Sequence, residues 1–288
     1  MVKEFVTDKI YCKKWIPEKP RAVIQVIHGL GEMTEYYEQF AEFMMSQDIG
    51  VFMGELRYHG RTTLPVDEDD IITLMCEESY KLCLEMKKEL SGIPYILLGH
   101  SMGATIAQLM LRDYNLYDKA ILTGCANIEK LDELLPCLDR EIEKNGIDNP
   151  CLEVFMKVFG KVAERFPEKC TISWVTSDLE RAEFYEKLPY SNVMYSNRFY
   201  KSFLSAQKIT QDKDFAKGVE KKIPLFILSG SEDSVGGYGL YPPRKAEEYK
   251  KAGFDVTLKI YEGMRHSILQ EKDRKSVYLD ILNAVGDR

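Results

Sequence analysis

The sequence contains no apolar run of the roughly 18 to 20 residues that a membrane-spanning helix needs. Its first eight residues mix acidic and basic side chains, so the apolar block of a signal peptide is missing as well. These two absences predict a protein that has no stable membrane anchor and is located in the cytoplasm.

The chain of 288 residues also lacks an excess of positive charge, since 39 Lys and Arg stand against 46 Asp and Glu, a formal net charge of −7. Basic residues do not form long runs. Such a surface repels phosphate backbones, so nucleic acid is not expected as a partner. The sequence does not specify an oligomeric state.

Cysteine spacing gives no sign of a metal site. The seven cysteines are Cys12, Cys76, Cys83, Cys125, Cys137, Cys151 and Cys170. Their number is odd and no Cys-x-x-Cys motif is present. This pattern predicts reduced thiols in a cytosolic protein and no bound metal.

Short apolar runs alternate with helix-like stretches over the first 125 residues and again near the end of the chain. The predicted strands are 4–7, 9–15, 22–27, 51–56, 95–98, 119–123, 224–229 and 255–261, of which the first two could form a hairpin at the sheet edge. The predicted helices are 34–47, 70–90, 102–114, 244–252 and 270–285. Buried strands separated by helices predict a mostly parallel sheet with right-handed crossovers.

The pattern changes between residues 128 and 209, where strand-like runs disappear. This segment has amphipathic helical periodicity at 131–144, 151–166 and 179–188. Residues 150–204 hold 11 aromatics in 55 positions. We interpret 128–209 as a helical insertion into one α/β domain formed by 1–127 and 210–288. Phe155 and Phe159 lie four apart on one helical face and are expected to pack in a core.

The strongest chemical motif is Gly99-His100-Ser101-Met102-Gly103, which follows the apolar run 95–98 and precedes a helical stretch. This strand–turn–helix context is the one that a nucleophile elbow requires. The glycines allow close approach of strand and helix, and the helix N-terminus directs amide donors at the serine. Ser101 is therefore the candidate nucleophile.

A serine hydroxyl needs a base within hydrogen-bond reach. Of the four histidines, His100 adjoins the serine and should point elsewhere, whereas His28 ends a strand and His59 lies in a turn. His266 follows the last strand, at the sheet edge where open α/β sheets place their sites. His266 is therefore the preferred base.

The base in turn needs an acid that fixes its tautomer. Asp233 lies just past the strand that ends near Ser229, and Glu232 and Asp255 are rivals. Asp255 opens a strand and so lies at the opposite sheet edge, which favours Asp233 with Glu232 as the alternative. The order Ser101, Asp233, His266 is that of the α/β-hydrolase triad.

Backbone amides can stabilise the developing oxyanion. One candidate donor is the amide of Met102, which follows the nucleophile. The other is the amide of Leu30, in the loop His28-Gly29-Leu30-Gly31 after the third strand.

These motifs together resemble the α/β-hydrolase family of monoacylglycerol lipases and lysophospholipases, which is grouped with serine aminopeptidases. The resemblance covers nearly the whole core, including 28–32, 57–61, 99–103, Asp233 and 263–266. It implies an α/β-hydrolase fold, with a mostly parallel eight-stranded sheet flanked by helices and a helical cap, residues 128–209, between strands 6 and 7. It also implies a triad of Ser101, Asp233 and His266. The turn Glu55-Leu56-Arg57-Tyr58-His59-Gly60 departs from the family's usual Asp-x-Arg-Gly-His-Gly.

The expected activity is hydrolysis of small acyl esters, such as monoacylglycerol-like or lysophospholipid-like esters, without a cofactor. An amidase or aminopeptidase on the same fold is the alternative, and a non-catalytic ligand-binding homologue is a third possibility. Aromatic residues of the cap would roof the pocket. The candidates for its lining are Trp174, Tyr190, Tyr195 and Phe199.

Overall fold

The computed structural model describes residues 1–62, 64, 68–150, 152–166, 168, 172–191 and 193–286. Cys151 and Cys170 lie outside these residues. The other five cysteines are free thiols, and all of them except Cys137 are buried.

The core is one eight-stranded sheet in the order β1-β2-β4-β3-β5-β6-β7-β8. The strands are β1 Val2–Thr7, β2 Ile10–Trp15, β3 Ala22–Ile27, β4 Ile49–Gly54, β5 Tyr95–His100, β6 Lys119–Thr123, β7 Leu225–Gly230 and β8 Val256–Tyr261. The pairs β1–β2 and β2–β4 are antiparallel, and the remaining neighbours are parallel. All six residues of β3 and of β5 are buried, because helices cover both faces of the sheet. The predicted mostly parallel sheet is confirmed.

Five helices belong to the repeating α/β part of the chain. They are α1 Glu38–Ser46, α2 Ile71–Glu89, α3 Met102–Asp113, α8 Tyr241–Lys251 and α9 Arg274–Val285. The prediction for 270–285 is wrong at its start, because Ile268–Gln270 form a separate 3-10 turn before α9 begins. Among the described residues, no helix is both long and apolar enough to cross a membrane.

Residues 128–209, which we call the inserted segment, lie between β6 and β7, and four further helices are seen among their described residues, the last of which extends to Thr210. These are α4 Leu131–Asn145, α5 Leu152–Phe159, α6 Leu179–Glu186 and α7 Asn197–Thr210. The sequence analysis did not identify α7, which begins where the Ser196 hydroxyl accepts a hydrogen bond from the Phe199 amide and which packs against α2, α3 and α4.

The prediction of a helix to residue 166 and of a buried aromatic pair needs correction. Helix α5 ends at Phe159, just before Gly160, a residue that destabilises helix interiors. Phe155 is 37% exposed, so it is not a core residue, although its ring lies 5.4 Å from that of Phe159. Phe159 is partly buried and packs against the hydrophobic core, so the prediction holds in part for this residue and is wrong for Phe155.

Candidate active site

Ser101 occupies the tight turn between β5 and α3, with a φ of +55° that L-residues rarely adopt. The turn is possible only because two glycines flank it. A Cβ on Gly99 would lie 2.7 Å from Ala107 Cβ, and one on Gly103 would lie 2.6 Å from the His28 carbonyl oxygen. Strand and helix can therefore approach closely enough to raise the serine side chain above the sheet edge.

His266 and Asp233 complete a hydrogen-bonded chain with this serine. His266 Nε2 lies 2.9 Å from Ser101 Oγ, and His266 Nδ1 lies 2.8 Å from Asp233 Oδ1. The same Asp233 oxygen accepts hydrogen bonds from the amides of Val235 (3.0 Å) and Gly236 (3.1 Å). Asp233 is completely buried and His266 is almost so. The loops after β5, β7 and β8 thus bring together the three residues that the sequence analysis selected.

The two rival acids are placed differently. The Glu232 amide donates to the Met264 carbonyl (2.9 Å), while its side chain remains half-buried. Asp255 immediately precedes β8, and its carbonyl accepts from the Leu225 amide at the amino ends of the strands. The carboxylate that hydrogen-bonds the His266 ring is that of Asp233.

The other three histidines are buried, and burial lowers the pKa of His28 to about 4, that of His59 to about 3 and that of His100 to about 4. They are therefore neutral at pH 7. His28 Nε2 accepts from the Leu56 amide (2.9 Å), so Nδ1 carries the proton and donates to the Gly29 carbonyl (2.8 Å). His28 thereby connects the loop after β3 to the loop after β4.

His100 is directed away from the nucleophile next to it. Its Nδ1 lies 2.9 Å from Thr123 Oγ1 and its Nε2 lies 3.5 Å from a Glu32 carboxylate oxygen. The His100 ring stands 4.9 Å from the His266 ring. The His100 ring therefore packs against the ring of His266. Its two nitrogens face Thr123 and Glu32 rather than Ser101 Oγ.

Met102 directly follows the candidate nucleophile, and the loop that carries Leu30 lies close to it, since a Cβ on Gly29 would be 3.1 Å from Ser101 Cβ. The preceding amide, that of Gly29, is engaged by the Glu32 carboxylate at 2.7 Å. Within the described residues, neither the Leu30 nor the Met102 amide donates a hydrogen bond to the protein. Met102 is also the first residue of α3, where the helix dipole favours negative charge.

Glu32 is a supporting residue to which the sequence analysis gave no role. It is 6% exposed, and one carboxylate oxygen accepts from both the Gly29 amide and the Tyr37 hydroxyl (2.6 Å). A carboxylate at this position fixes the loop that presents the Leu30 amide. The signal available in the sequence was an acid placed directly after the turn Gly29-Leu30-Gly31. An acid that is buried at such a turn needs hydrogen-bond donors, and the backbone of the turn supplies one of them.

Of the four aromatic candidates for a pocket lining, Trp174 reaches the site. Its ring lies 5.2 Å from the His266 ring, and its carbonyl accepts from the His266 amide at 3.5 Å. Tyr195 is buried with its ring 5.2 Å from that of His59, and Phe199 is 1% exposed on α7. Tyr190 is 52% exposed and lies at the surface.

The turn that departs from the family pattern keeps a left-handed residue at its centre. Tyr58, which stands where the family has glycine, has a φ of +67°. The buried Glu55 carboxylate accepts from the Thr34 hydroxyl (3.0 Å) and from the Arg61 guanidinium (2.8 Å). The longer acid thus supports the turn by reaching two neighbouring segments.

No group of three or more His, Cys, Asp or Glu among the described residues is placed to hold a metal ion. A strained serine between strand and helix, with an acid and a histidine on later strand ends of a mostly parallel sheet, defines the α/β-hydrolase class. Residues 18–273 match the family model described as "Serine aminopeptidase, S33", and the chain belongs to that family.

Curated relatives extend over nearly the whole chain. The monoglyceride lipase homolog of Monkeypox virus is 28% identical, with 98% of this chain and 95% of the relative covered. The human monoglyceride lipase is 26% identical, with 91% and 81% covered. A crystal structure of a thermostable carboxyl esterase from Bacillus coagulans, 23% identical, superposes with a TM-score of 0.90 and coverage of 99% and 97%. The predicted α/β-hydrolase fold and the resemblance to the monoacylglycerol lipase group are confirmed.

Proposed function

We propose that this protein is a carboxylic ester hydrolase that works through an acyl-enzyme on Ser101, with His266 as base and Asp233 as acid. The observation that carries the proposal is the continuous chain from Ser101 Oγ through His266 to Asp233, with contacts of 2.9 and 2.8 Å. The names of the relatives, as lipases and an esterase, support an ester as the substrate.

Each step of the reaction has a group in position. Ser101 Oγ attacks the acyl carbonyl while His266 Nε2 takes the hydroxyl proton, and Asp233 stabilises the resulting imidazolium. The amides of Leu30 and Met102 stabilise the oxyanion, a type of contribution worth about 3 to 4 kcal/mol per donor in other hydrolases. His266 then protonates the leaving alcohol. A water molecule that the same histidine activates then hydrolyses the acyl-enzyme and releases the carboxylic acid product. These steps need no metal or organic cofactor.

We propose residues 128–209 as a cap over a core formed by 1–127 and 210–288. The Trp174 ring, 5.2 Å from the His266 ring, supports this assignment, because part of the inserted segment then adjoins the base. A monoacylglycerol-like or lysophospholipid-like ester is the favoured substrate, since an aromatic-rich roof suits an acyl chain. Cytoplasmic location and reduced thiols remain predictions from the sequence.

The family's description as serine aminopeptidases makes peptide or amide hydrolysis the second candidate. An aminopeptidase must hold a substrate ammonium with an acid near the site. Glu168 belongs to the inserted segment near Trp174, but its carboxylate pairs with the Arg265 guanidinium. This pairing favours the ester over the aminoacyl substrate.

The test combines covalent labelling with matched substrates. A fluorophosphonate probe should label the wild-type protein but not Ser101→Ala, which should also lose at least a hundredfold in ester turnover because the activated nucleophile is gone. A 4-nitrophenyl ester should be cleaved much faster than an aminoacyl 4-nitroanilide. Absence of labelling in the folded wild type would favour a non-catalytic ligand-binding protein, and preference for the anilide would favour the aminopeptidase.

A further inference from the structure

The loop that carries His266 is hydrogen-bonded to the inserted segment along several residues. The Ser267 amide donates to the Val175 carbonyl (2.8 Å), next to the longer contact between the His266 amide and Trp174. The Arg265 guanidinium donates to the Ser173 carbonyl (2.6 Å). The candidate base and this part of the inserted segment therefore form one hydrogen-bonded unit.

Glu271 lies at the centre of this unit and has no part in the proposed chemistry. It is 1% exposed, although it carries a carboxylate. Its Oε1 accepts from the Arg265 amide (2.7 Å) and the Ser177 amide (3.0 Å), and its Oε2 accepts from the Ser177 amide (3.0 Å) and the Ser177 hydroxyl. A buried carboxylate of this kind is tolerated only because its oxygens receive several hydrogen bonds.

The partners of Glu271 explain what it holds. The Arg265 amide belongs to the residue directly before His266, and Ser177 ends the stretch of the inserted segment that pairs with the loop. One carboxylate thus joins the backbone preceding the base to the inserted segment. Displacement of the His266 ring by even about 1 Å can cost on the order of a hundredfold in rate.

We infer that Glu271 is a positioning residue that holds His266 in place by tying its loop to residues 173–177. The inference rests on the proposed function for its kinetic part, because only an active enzyme shows the effect in turnover. Its structural part, the link between loop and inserted segment, is measurable without activity. Glu271 then couples the inserted segment to the loop of the base, in addition to the backbone contacts at Val175 and Ser173.

The test uses Glu271→Gln. The side-chain NH₂ group of glutamine is a hydrogen-bond donor, so it cannot accept from the backbone amides of Arg265 and Ser177 as the carboxylate oxygens do. A control is Asp118→Asn, since the Asp118 carboxylate, although exposed, also accepts from a backbone amide, that of Tyr95 (2.9 Å), at the opposite end of the sheet. Glu271→Gln should lower both kcat for a short ester and the fluorophosphonate labelling rate about tenfold, with KM changed less than about threefold, because the base rather than the pocket is displaced. The Asp118 variant should retain both rates.

Hydrogen exchange supplies the readout that is independent of activity. The amides of His266 and Ser267 should exchange faster in Glu271→Gln than in the wild type. If the wild type is neither labelled nor active, the proposed function fails, and the exchange rates alone then decide whether the link exists. If Glu271→Gln does not fold, Ser177→Ala removes one hydroxyl donor and should show a smaller loss in the labelling rate.

Three results would overturn the inference. The first is a labelling rate in folded Glu271→Gln, or in its replacement Ser177→Ala, equal to that of an active wild type. The second is a rate of amide hydrogen exchange at His266 and Ser267 that is the same in Glu271→Gln as in the wild type. This result decides the question if the wild type is inactive. An equal loss of labelling in Asp118→Asn would also count against it, since the effect would then be general destabilisation.

Discussion

The two sides of the candidate active site are built differently. On the side of the sheet, Asp233 and His266 are buried, and each ring nitrogen and the inner carboxylate oxygen has a hydrogen-bond partner. On the side of the inserted segment, α5 exposes large apolar side chains, with Leu152 at 60% and Met156 at 52%. The comparison indicates that the sheet fixes the geometry for chemistry, whereas α5 leaves apolar side chains exposed.

The largest expected effect tests the sheet side. Asp233→Asn should lower kcat by about 10³- to 10⁴-fold, because the amide cannot stabilise an imidazolium or impose the correct histidine tautomer. Glu232→Gln, one position away and without a bond to His266, is the matched control and should stay within about twofold. Steady-state ester hydrolysis measures both. The reverse ranking would move the acid to Glu232.

A smaller effect is expected where the two sides meet, at His59. This residue is 1% exposed beneath Tyr195 and Phe199, and burial lowers its pKa from 6.5 to about 3. Between these values the unfolded chain binds a proton that the folded protein does not, so stability falls as the pH decreases below 6.5. Replacement by phenylalanine removes this contribution.

When the pH is lowered from 7 to 5, the free energy of unfolding should therefore decrease less in His59→Phe than in the wild type. The two decreases should differ by about 2 kcal/mol. Urea unfolding at the two pH values provides the measurement. Since the lost hydrogen bond to the Arg57 carbonyl affects both pH values equally, only the difference between them matters. Parallel pH dependences of the two proteins would show that His59 is protonated in the fold.

The smallest expected effect tests the inserted segment. The rate constant kcat/KM should rise several-fold as 4-nitrophenyl esters lengthen from two carbons to medium length and then level off by twelve. Each buried methylene contributes about 0.8 kcal/mol at most. Trp174→Ala, which removes the ring nearest His266, should flatten the series. A flat or falling series in the wild type would instead indicate a pocket for small or polar acyl groups.

The sequence predicted the sheet side more fully than the inserted segment, for a physical reason. Strands such as Ala22–Ile27 and Lys119–Thr123 are short, mostly apolar or β-branched runs, and glycines mark the turn at Ser101. Helix α7 was missed because polar residues interrupt its buried face. One of them, Gln207, is buried because its side-chain amide donates to the Thr105 hydroxyl at 2.6 Å. Such pairing is visible only when both helices are in place.

The supporting carboxylates were missed for a related reason. Glu32 takes its donors from the nearby residues Gly29 and Tyr37. Glu271 is followed in the sequence by charged residues, so composition and periodicity treat it as surface. Its burial depends on a distant donor, because Ser177 as well as Arg265 converges on its carboxylate. Long-range hydrogen bonding of this kind leaves no local pattern.

The inserted segment also leaves and re-enters the core at neighbouring points. In its hydrogen-bonded orientation the Gln211 side-chain amide donates to the Ile128 carbonyl (3.1 Å) and accepts from the Ile128 amide (3.0 Å). The Lys245 ammonium, on α8, donates to the Thr210 carbonyl at 2.6 Å and anchors the return. Because the two ends meet, the segment can be exchanged as a cassette without changing the register of β6 and β7. Such modularity would let one reaction centre acquire new substrates through replacement of a single stretch of chain.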